Sequence, residues 1–268
     1  MKINYFDLGL FHGTELFLMM HSIIPSIGFD NVVAYGFEPC EDSFQAASLA
    51  PWTKSNSDNI HLFNYAVCGD NGERKLYHAN NNVGNSLYET KKNLNGEHEV
   101  VKTIKMSDWL RENIPTLKED LNIIKMNIEG AEHEVLVDLE ENGMLQYFSI
   151  FCGTGDDINK IPELSDVKKD FERILKENDI TIHHFSARAD IIAPEKKTKE
   201  AIKYAKQVMK EKAKREPWMW SCMAIDTIKD GVKNFEFFYE VEGNKKNVNM
   251  CRLILEAIED KRNGEQNE

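Results

Sequence analysis

Strand-like and helix-like segments alternate through the first 185 residues, and this alternation constrains the fold more than any other feature of the chain. Parallel strands need long crossover connections, so the pattern predicts an α/β fold with a mostly parallel central sheet and helices on both faces. The apolar density of the strand-like segments favours central strands that are buried on both faces. The predicted strands are residues 3–8, 32–37, 60–67, 122–128, 147–151 and 180–185.

Helices are expected between these strands, at residues 14–24, 41–50, 130–143 and 166–177. After the third strand the pattern changes, because residues 73–79 and 97–106 have the character of short strands. They flank an asparagine-rich stretch at residues 80–85. We therefore predict that a hairpin is inserted over about residues 73–106.

The C-terminal part of the chain differs in charge. Residues 195–215 predict a helix that carries nine Lys or Arg, within a protein whose net charge is −12. Two strands at 218–228 and 235–241 and a helix at 248–258 are expected to follow. We predict a main domain over residues 1–228 and a C-terminal extension over 229–268. The basic helix fits a lid over an anionic substrate, and it fits equally well a solvated helix docked by its apolar face.

Composition argues against several classes of protein. The charge of −12 disfavours a general nucleic-acid binder, because polyanion binding depends on clustered Lys and Arg. The five cysteines lie far apart without a CxxC pair, so we expect buried thiols and neither a disulfide framework nor a metal site. The chain has no apolar run of about 18 residues. We expect a soluble, cytoplasmic protein without a membrane partner.

Polar and small residues follow the first two predicted strands. Asp7, Gly9 and Gly13 form a DxGxxxG turn between a strand and a helix, where glycines let a ligand approach the backbone. Alone, this pattern also fits a tight turn. Glu38, before Pro39, ends the second strand, where a carboxylate can accept hydrogen bonds from both hydroxyls of an adenosine ribose. The alternative for Glu38 is a carboxylate that stabilises a helix start.

The third and fourth strands complete the predicted site. Ala66 and Val67 are small enough to leave room for a flat adenine ring. Polar residues emerge at the end of the fourth strand, which is where open α/β sheets place their ligands. Helix-dipole stabilisation explains Glu129 and Glu132 there, but it does not explain Lys125 inside an apolar run.

Together these motifs resemble the FkbM family of methyltransferases, whose pattern is DxGAxxG, FEP, NxAxxxxxG and K(I/M)DxEGAE. The resemblance covers about residues 3–152. The matching residues are Asp7, Gly9 and Gly13; Phe37-Glu38-Pro39; Asn64, Ala66 and Gly72; and Lys125-Met126 with Glu129-Gly130-Ala131-Glu132. Two further elements look similar, Gly84-Asn85-Ser86-Leu87 to the family's Gly-Ser-Ser-Leu and Thr103 to Leu110 to its strand exit.

Three positions differ from the family pattern. Leu10 and Phe11 replace Ala and Asn in the first loop, Asn127 replaces an Asp, and an acidic residue and a His are not evident after Phe151.

The resemblance implies a Rossmann-like class I methyltransferase fold with S-adenosylmethionine as cofactor. It also implies O-methylation of a hydroxyl on a sugar or related small metabolite. The cofactor contacts that we expect are Asp7, Gly9, Phe11, His12, Gly13, Glu38, Pro39, Ala66, Val67 and Asn127.

For catalysis we expect Glu129, assisted by His133, to be the base or to orient the acceptor. Asn127 would bind the cofactor's amino acid end or the acceptor, because an amide cannot serve as a base.

Two other functions fit parts of the sequence. Asn127 and the altered first loop also suit a non-catalytic S-adenosylmethionine-binding protein on a degenerate scaffold. A glycine loop followed by an acidic residue also describes NAD-type oxidoreductases. Against the latter, the spacing is DxGxxxG.

Overall fold

A computed structural model of the protein describes residues 1–24, 31–54, 58–79, 84–153, 157–185 and 245–265. Its parallel central sheet consists of six strands, β1 Ile3–Leu8, β2 Val32–Phe37, β3 Ile60–Phe63, β7 Leu121–Met126, β8 Phe148–Gly153 and β9 Ile182–His184. Their order in the sheet is β3-β2-β1-β7-β8-β9. After β1 the chain adds β2 and β3 on one side of the sheet, and after β7 it adds β8 and β9 on the other side. The sheet's topological switch point therefore lies between β1 and β7.

Helices cover both faces of this sheet, as the sequence predicted. They are α1 Thr14–Leu18, which continues into a π-helical turn at Met19–Ile23, α2 Glu41–Leu49, α3 Pro51–Lys54, α4 Met106–Asn113, α5 Glu132–Glu141, α6 Lys168–Glu177 and α7 Lys245–Glu265. Short 3₁₀ turns occur at Leu145–Tyr147, Asp157–Asn159 and Pro162–Leu164.

Alternate residues of β1 point into two separate cores. Ile3 and Tyr5 pack in the core that contains the buried residues of α1 and α7. Phe6 and Leu8 pack in the core that contains those of α4, α5 and α6. This alternation of side chains is what a strand buried on both faces requires. The Rossmann-like α/β fold is thereby confirmed.

A second, three-stranded sheet lies beside the first. Its strands are β4 Ala66–Cys68, β5 Gly72–Ala79 and β6 Leu94–Lys105, in the order β4-β6-β5. Because β5 and β6 pair in antiparallel fashion, the predicted inserted hairpin is confirmed. The prediction of one strand over residues 60–67 was wrong. The chain leaves the central sheet after β3, and the Asn64 side-chain amide there donates hydrogen bonds to the carbonyls of Glu38 and Pro39.

Two other elements differ from expectation. Residues 103–110 were read only as a strand exit, but α4 begins at Met106 and buries Met106, Trp109 and Leu110. This i, i+3, i+4 spacing is typical of an amphipathic helix. The last helix, α7, is longer than the predicted 248–258. It docks through Met250, Ile254 and Ile258, which are one turn apart and buried.

The predicted basic helix at 195–215 and the strands at 218–228 and 235–241 lie outside the described residues. The domain boundaries thus remain a prediction. Among the helices that the structure describes, none is both long and apolar enough to cross a membrane.

Candidate active site

The carboxyl ends of β1, β2 and β7 lie side by side at the topological switch point. Leu8, the last residue of β1, is in register with Phe37 of β2 and with Met126 of β7. The loop after β1 continues this pairing, because the N–H groups of Gly9 and Leu10 donate to the Phe37 carbonyl at 3.1 and 2.9 Å. Three of the predicted motifs therefore converge at one edge of the sheet, where open α/β folds bind ligands.

Gly9 is required by the close approach of a neighbouring strand. Its φ of +78° is in the left-handed region. A Cβ atom at this position would lie 2.1 Å from the Asn127 carbonyl oxygen at the end of β7. Gly9 was predicted to let a ligand approach the backbone, whereas in the structure the neighbouring backbone already excludes a side chain. Gly13, also with a positive φ, ends the loop directly before α1.

Asp7 and Lys125 form a buried ion pair beneath the loop. The Lys125 Nζ lies 2.8 Å from the Asp7 Oδ1 and donates a second hydrogen bond of 2.8 Å to the Gly9 carbonyl. Burial raises the pKa of Asp7 to about 6, although Lys125 counteracts this, so the carboxylate is ionised at neutral pH. Burial lowers the pKa of Lys125, but the attraction of Asp7 leaves it above its ordinary value. This pair explains the lysine that the sequence analysis could not place.

The structure therefore gives the predicted cofactor residue Asp7 a supporting position. Its carboxylate accepts hydrogen bonds from Lys125 and, at 3.4 Å, from the Tyr5 hydroxyl, and it has no exposed surface.

Glu38 lies directly after β2 and holds the loop from the other side. Its two carboxylate oxygens accept hydrogen bonds from the N–H groups of Phe11 at 2.6 Å and Cys40 at 2.9 Å. The residue is only 7% exposed, and this burial raises its pKa to about 7 despite the two main-chain donors. A carboxylate has about four lone-pair positions, so Glu38 retains acceptor capacity for further donors.

The loop between Gly9 and Gly13 presents two aromatic rings. Phe11 has a φ of +52°, which is rare for a bulky residue and is tolerated mainly where the surroundings fix the backbone. Its N–H is fixed by Glu38. Its ring stacks on that of His12, with centroids 3.7 Å apart and the planes 15° from parallel. With Phe11 in place of the family's Asn, an aromatic ring pair therefore lies at the loop between Gly9 and Gly13.

Glu129 follows β7 and is tied to the segment before β6. Lys91, 7% exposed, donates to the Glu129 carboxylate and, at 2.8 Å, to the Gly84 carbonyl. The Ser86 hydroxyl donates to the Glu129 main-chain carbonyl at 2.7 Å. Glu129 also has a positive φ of 57°, a conformation that often marks functional positions. Lys91 was missed by the sequence analysis, although the matching Gly84 to Leu87 element pointed to this segment.

The turn between Glu129 and α5 is closed by another buried carboxylate. Glu132 accepts hydrogen bonds from the N–H groups of Ile128 at 3.0 Å and Gly130 at 2.9 Å. It is 1% exposed, so its function here is structural. The helix-start explanation that the sequence analysis gave for Glu132 agrees with this geometry.

Four further predicted site residues are His133, Ala66, Val67 and Asn127. His133 contacts Asp170 of α6, with its Nε2 2.9 Å from the Asp170 Oδ2. Ala66 and Val67 are both buried in β4, where they pack in two of the apolar cores. The Asn127 N–H donates to the Leu8 carbonyl at 3.0 Å, and its residue is half-buried. The structure thus brings together the Gly9 loop, Glu38 and Asn127, with Glu129 two residues after Asn127, while His133 is directed toward α6.

The family of this chain follows from a comparison with known protein families. A family model described as the methyltransferase FkbM domain matches residues 17–178, which is more than half of the chain. The chain belongs to the FkbM methyltransferase family. No curated protein and no solved structure matches it.

Membership of the FkbM family makes this protein a methyltransferase and implies a methyl donor. The matched stretch contains Glu38, Lys91 and Glu129 but begins after the loop from Asp7 to Gly13. The assignment of that loop to the site therefore depends on its geometry, and above all on the hydrogen bond between Glu38 and Phe11.

Proposed function

We propose that this FkbM methyltransferase transfers the methyl group of S-adenosylmethionine to a hydroxyl oxygen of a sugar or related small metabolite. The observation that carries the proposal is the buried Glu38 carboxylate, which lies at the switch point and holds the glycine loop through Phe11. An acidic residue at this position of an open α/β sheet is suited to the two hydroxyls of a ribose.

The surroundings of Glu38 fit that cofactor. Each of its oxygens accepts one main-chain N–H and keeps capacity for a hydroxyl donor. The loop from Gly9 to Gly13 lies next to Glu38, and Lys125 holds it through a hydrogen bond to the Gly9 carbonyl. When bound, S-adenosylmethionine supplies an electrophilic methyl carbon attached to a sulfonium. We expect the stacked rings of Phe11 and His12 to line the cofactor, with Pro39 beside the ribose.

Glu129 is the proposed proton acceptor for the hydroxyl. Methyl transfer is an in-line displacement, in which the hydroxyl oxygen forms a bond to the methyl carbon as the carbon–sulfur bond breaks. The hydroxyl proton passes to the Glu129 carboxylate. The ammonium group of Lys91 donates a hydrogen bond to that carboxylate and holds it in position. Because the His133 ring faces Asp170 of α6, we assign the proton to Glu129 alone.

Calorimetric titration tests the cofactor part of the proposal. S-adenosylmethionine and S-adenosylhomocysteine are expected to bind the full chain, and NAD is not. Glu38→Gln should weaken S-adenosylhomocysteine binding by roughly 10- to 100-fold, as expected for the loss of hydrogen bonds to a charged group. The matched control is Glu41→Gln, which removes an exposed carboxylate from the first turn of α2 and should leave the affinity unchanged. Binding of NAD alone would overturn the proposal.

A second candidate function follows from Asn127, which stands where the family pattern has Asp. It is a protein that binds S-adenosylmethionine without transferring its methyl group. Labelled-methyl transfer, measured with a panel of sugars and nucleotide-linked sugars, separates the two candidates. Tight cofactor binding without transfer in the whole panel, in both the natural chain and Asn127→Asp, would favour the second.

A further inference from the structure

Three side chains with different metal-binding atoms converge between α2 and the second sheet. They are Cys40, at the start of α2, His78 of β5 and Glu99 of β6. Their sulfur, imidazole nitrogen and carboxylate oxygen all lie within 4.8 Å of one another. We propose that Cys40, His78 and Glu99 bind a divalent transition-metal ion, with Zn²⁺ as the preferred ion.

The fold explains why these residues meet. Leu76 of β5 is in register with Glu99 of β6, and the pairing of the two strands becomes irregular between Tyr77 and Ala79. At this irregularity the His78 Nε2 lies 3.5 Å from the Glu99 Oε1. Diagonal neighbours on one face of an antiparallel pair are within reach of long side chains. Cys40 reaches this face from the central sheet because it follows the Glu38-Pro39 turn directly. The three ligands come from three separate elements, so their spacing in the sequence does not resemble a metal-binding motif.

The geometry is close to that of a bound ion. Ligand atoms on one tetrahedral zinc lie roughly 3.3–3.8 Å apart, given bond lengths of about 2.0–2.3 Å. The His78 Nε2 and the Glu99 Oε1 are already 3.5 Å apart. The full set, within 4.8 Å, requires each side chain to move by at most about an ångström, which a rotation about its side-chain bonds provides.

The ligand chemistry selects the class of ion. A thiolate and an imidazole favour zinc and the neighbouring transition metals over Mg²⁺ and Ca²⁺, which prefer oxygen ligands. Three protein ligands also leave a position for water, as in zinc sites that act in catalysis.

The surroundings combine an apolar wall with access from solvent. Cys40 is 2% exposed and packs with Ala66, Leu76 and Val101. The side chains of His78 and Glu99 are 18% and 30% exposed, so an ion can enter from their side. Low polarity behind the thiol and an open path in front of it are both expected of a functional metal site.

The proposed metal site is connected to the cofactor site through one residue. The Cys40 N–H donates to the Glu38 Oε1 at 2.9 Å. An ion that fixes Cys40 would therefore also fix the carboxylate that holds the glycine loop. Metal binding should then tighten S-adenosylhomocysteine binding, an effect that rests on the proposed function, whereas metal binding itself does not.

Cobalt is the most informative probe, since Co²⁺ bound to a thiolate gives a charge-transfer absorption that bound carboxylates do not. Chelator-treated full-length protein is titrated with Co²⁺ and then with competing Zn²⁺. We expect one ion per chain, a thiolate band, and its displacement by Zn²⁺. Cys40→Ser should abolish the band, and His78→Ala should weaken Co²⁺ binding by at least about tenfold.

Two matched controls come from the second sheet. Cys68→Ser removes another buried thiol, at the end of β4, and His98→Ala removes the histidine next to Glu99, whose ring centroid lies 5.7 Å from that of Tyr77. Both should leave Co²⁺ affinity and the band unchanged. Cys40→His keeps a ligand at the site, so it should still bind Co²⁺ but without the thiolate band, which excludes misfolding as the cause of a lost signal.

The outcomes separate the two proposals. Absence of the thiolate band in the folded natural protein would overturn the metal site. So would a Co²⁺ affinity in Cys40→Ser and His78→Ala that equals that of the natural protein. If the ion binds as expected while S-adenosylhomocysteine does not bind at all, the metal site stands and the proposed cofactor is wrong.

Discussion

The Glu38 side of the site, which comprises the loop from Asp7 to Gly13 and Glu38, is held by main-chain hydrogen bonds and a buried ion pair. The Glu129 side, which comprises Glu129, Lys91 and residues 84–91, is held by the Lys91 side chain and one serine hydroxyl. Strand ends set the first side, because Leu8 is in register with both neighbouring strands. The second side depends on a segment of the inserted hairpin.

This difference indicates how the two sides can vary. A site built on strand ends keeps its geometry as long as the sheet forms, since its donors belong to the backbone. A site held by side chains from an inserted segment can change its shape when that segment changes. We infer that the Glu38 side serves the proposed cofactor and keeps its geometry. The Glu129 side would then be the part of the site that adapts to the acceptor.

The largest effect is expected on the Glu129 side. Glu129→Gln should lower the rate of labelled-methyl transfer to the best acceptor by about 100- to 10,000-fold, because the hydroxyl proton loses its acceptor. Binding of S-adenosylhomocysteine, which depends on the Glu38 side, should be unchanged. Glu141→Gln, at the exposed end of α5, is the control and should transfer at the normal rate. Retained turnover in Glu129→Gln with normal cofactor affinity would exclude this residue as the base.

The Glu38 side should instead respond to loss of its buried ion pair. Lys125→Met leaves the Asp7 carboxylate buried without its cation, which should lower the free energy of unfolding by about 3–5 kcal/mol. Urea denaturation measures this change. The control is Lys168→Met, which removes an exposed pair with Glu172 and should cost less than about 1 kcal/mol.

A double variant, Asp7→Asn with Lys125→Met, should be more stable than Lys125→Met alone, because no charge is then left buried. Equal stability of the two would show that the cost arises from packing and not from the unpaired carboxylate.

Much of the Glu38 side could be predicted from the sequence. Strands β1 and β2 begin and end at the predicted residues, since both are short and mainly apolar runs. Glu38 was placed correctly at a strand end because it directly follows β2, and the alternating pattern of strands and helices predicts that strand. The role of Asp7 was harder to predict, since its partner Lys125 lies 118 residues away and only the folded sheet brings them together.

The Glu129 side was less predictable for the same physical reason. Lys91 meets Glu129 across 38 residues, through a segment whose position depends on how the inserted hairpin folds. His133 lies next to Glu132 in the sequence, yet its partner Asp170 belongs to α6, 37 residues further along. The split of the third strand could have been recognised from Asn64, a polar residue inside an apolar run whose amide turns to the Glu38-Pro39 carbonyls.

A smaller effect should follow from Gly9→Ala, and it separates two reasons for a glycine. Gly9 and Gly96 have similar φ values of +78° and +88°, but only at Gly9 would a Cβ meet the neighbouring backbone. The left-handed conformation alone costs roughly 1–2 kcal/mol for alanine, so Gly96→Ala should lose about that much stability. Gly9→Ala should lose about 2–4 kcal/mol, because crowding adds to strain.

The same pair of variants should differ in cofactor binding. Displacement of the loop at Gly9 disturbs the Phe11 N–H that Glu38 holds, so Gly9→Ala should weaken S-adenosylhomocysteine binding, whereas Gly96→Ala should not. Equal losses of stability in the two variants would mean that the end of β7 moves away from the new methyl group, and that close approach is not what requires Gly9.

The smallest effect expected is a pH dependence of cofactor binding set by Glu38. Burial raises the pKa of Glu38 to about 7, and ribose hydroxyls donate to its ionised form. Affinity for S-adenosylhomocysteine should therefore be constant above pH 8 and fall as the pH drops through 7. At pH 6 it should be about tenfold weaker, since one pH unit below the pKa leaves about a tenth of the carboxyl ionised.

The Glu38→Gln variant decides whether Glu38 is the group responsible. Asp7, with a pKa raised to about 6, could also weaken binding on acidification by loosening its contact with Lys125. If Glu38 is the titrating group, calorimetry from pH 5.5 to about 8.5 should show a flat profile in Glu38→Gln above pH 6.5. A profile that still falls near pH 7 in that variant would assign the titration elsewhere, and the ribose would then not be held by an ionised Glu38.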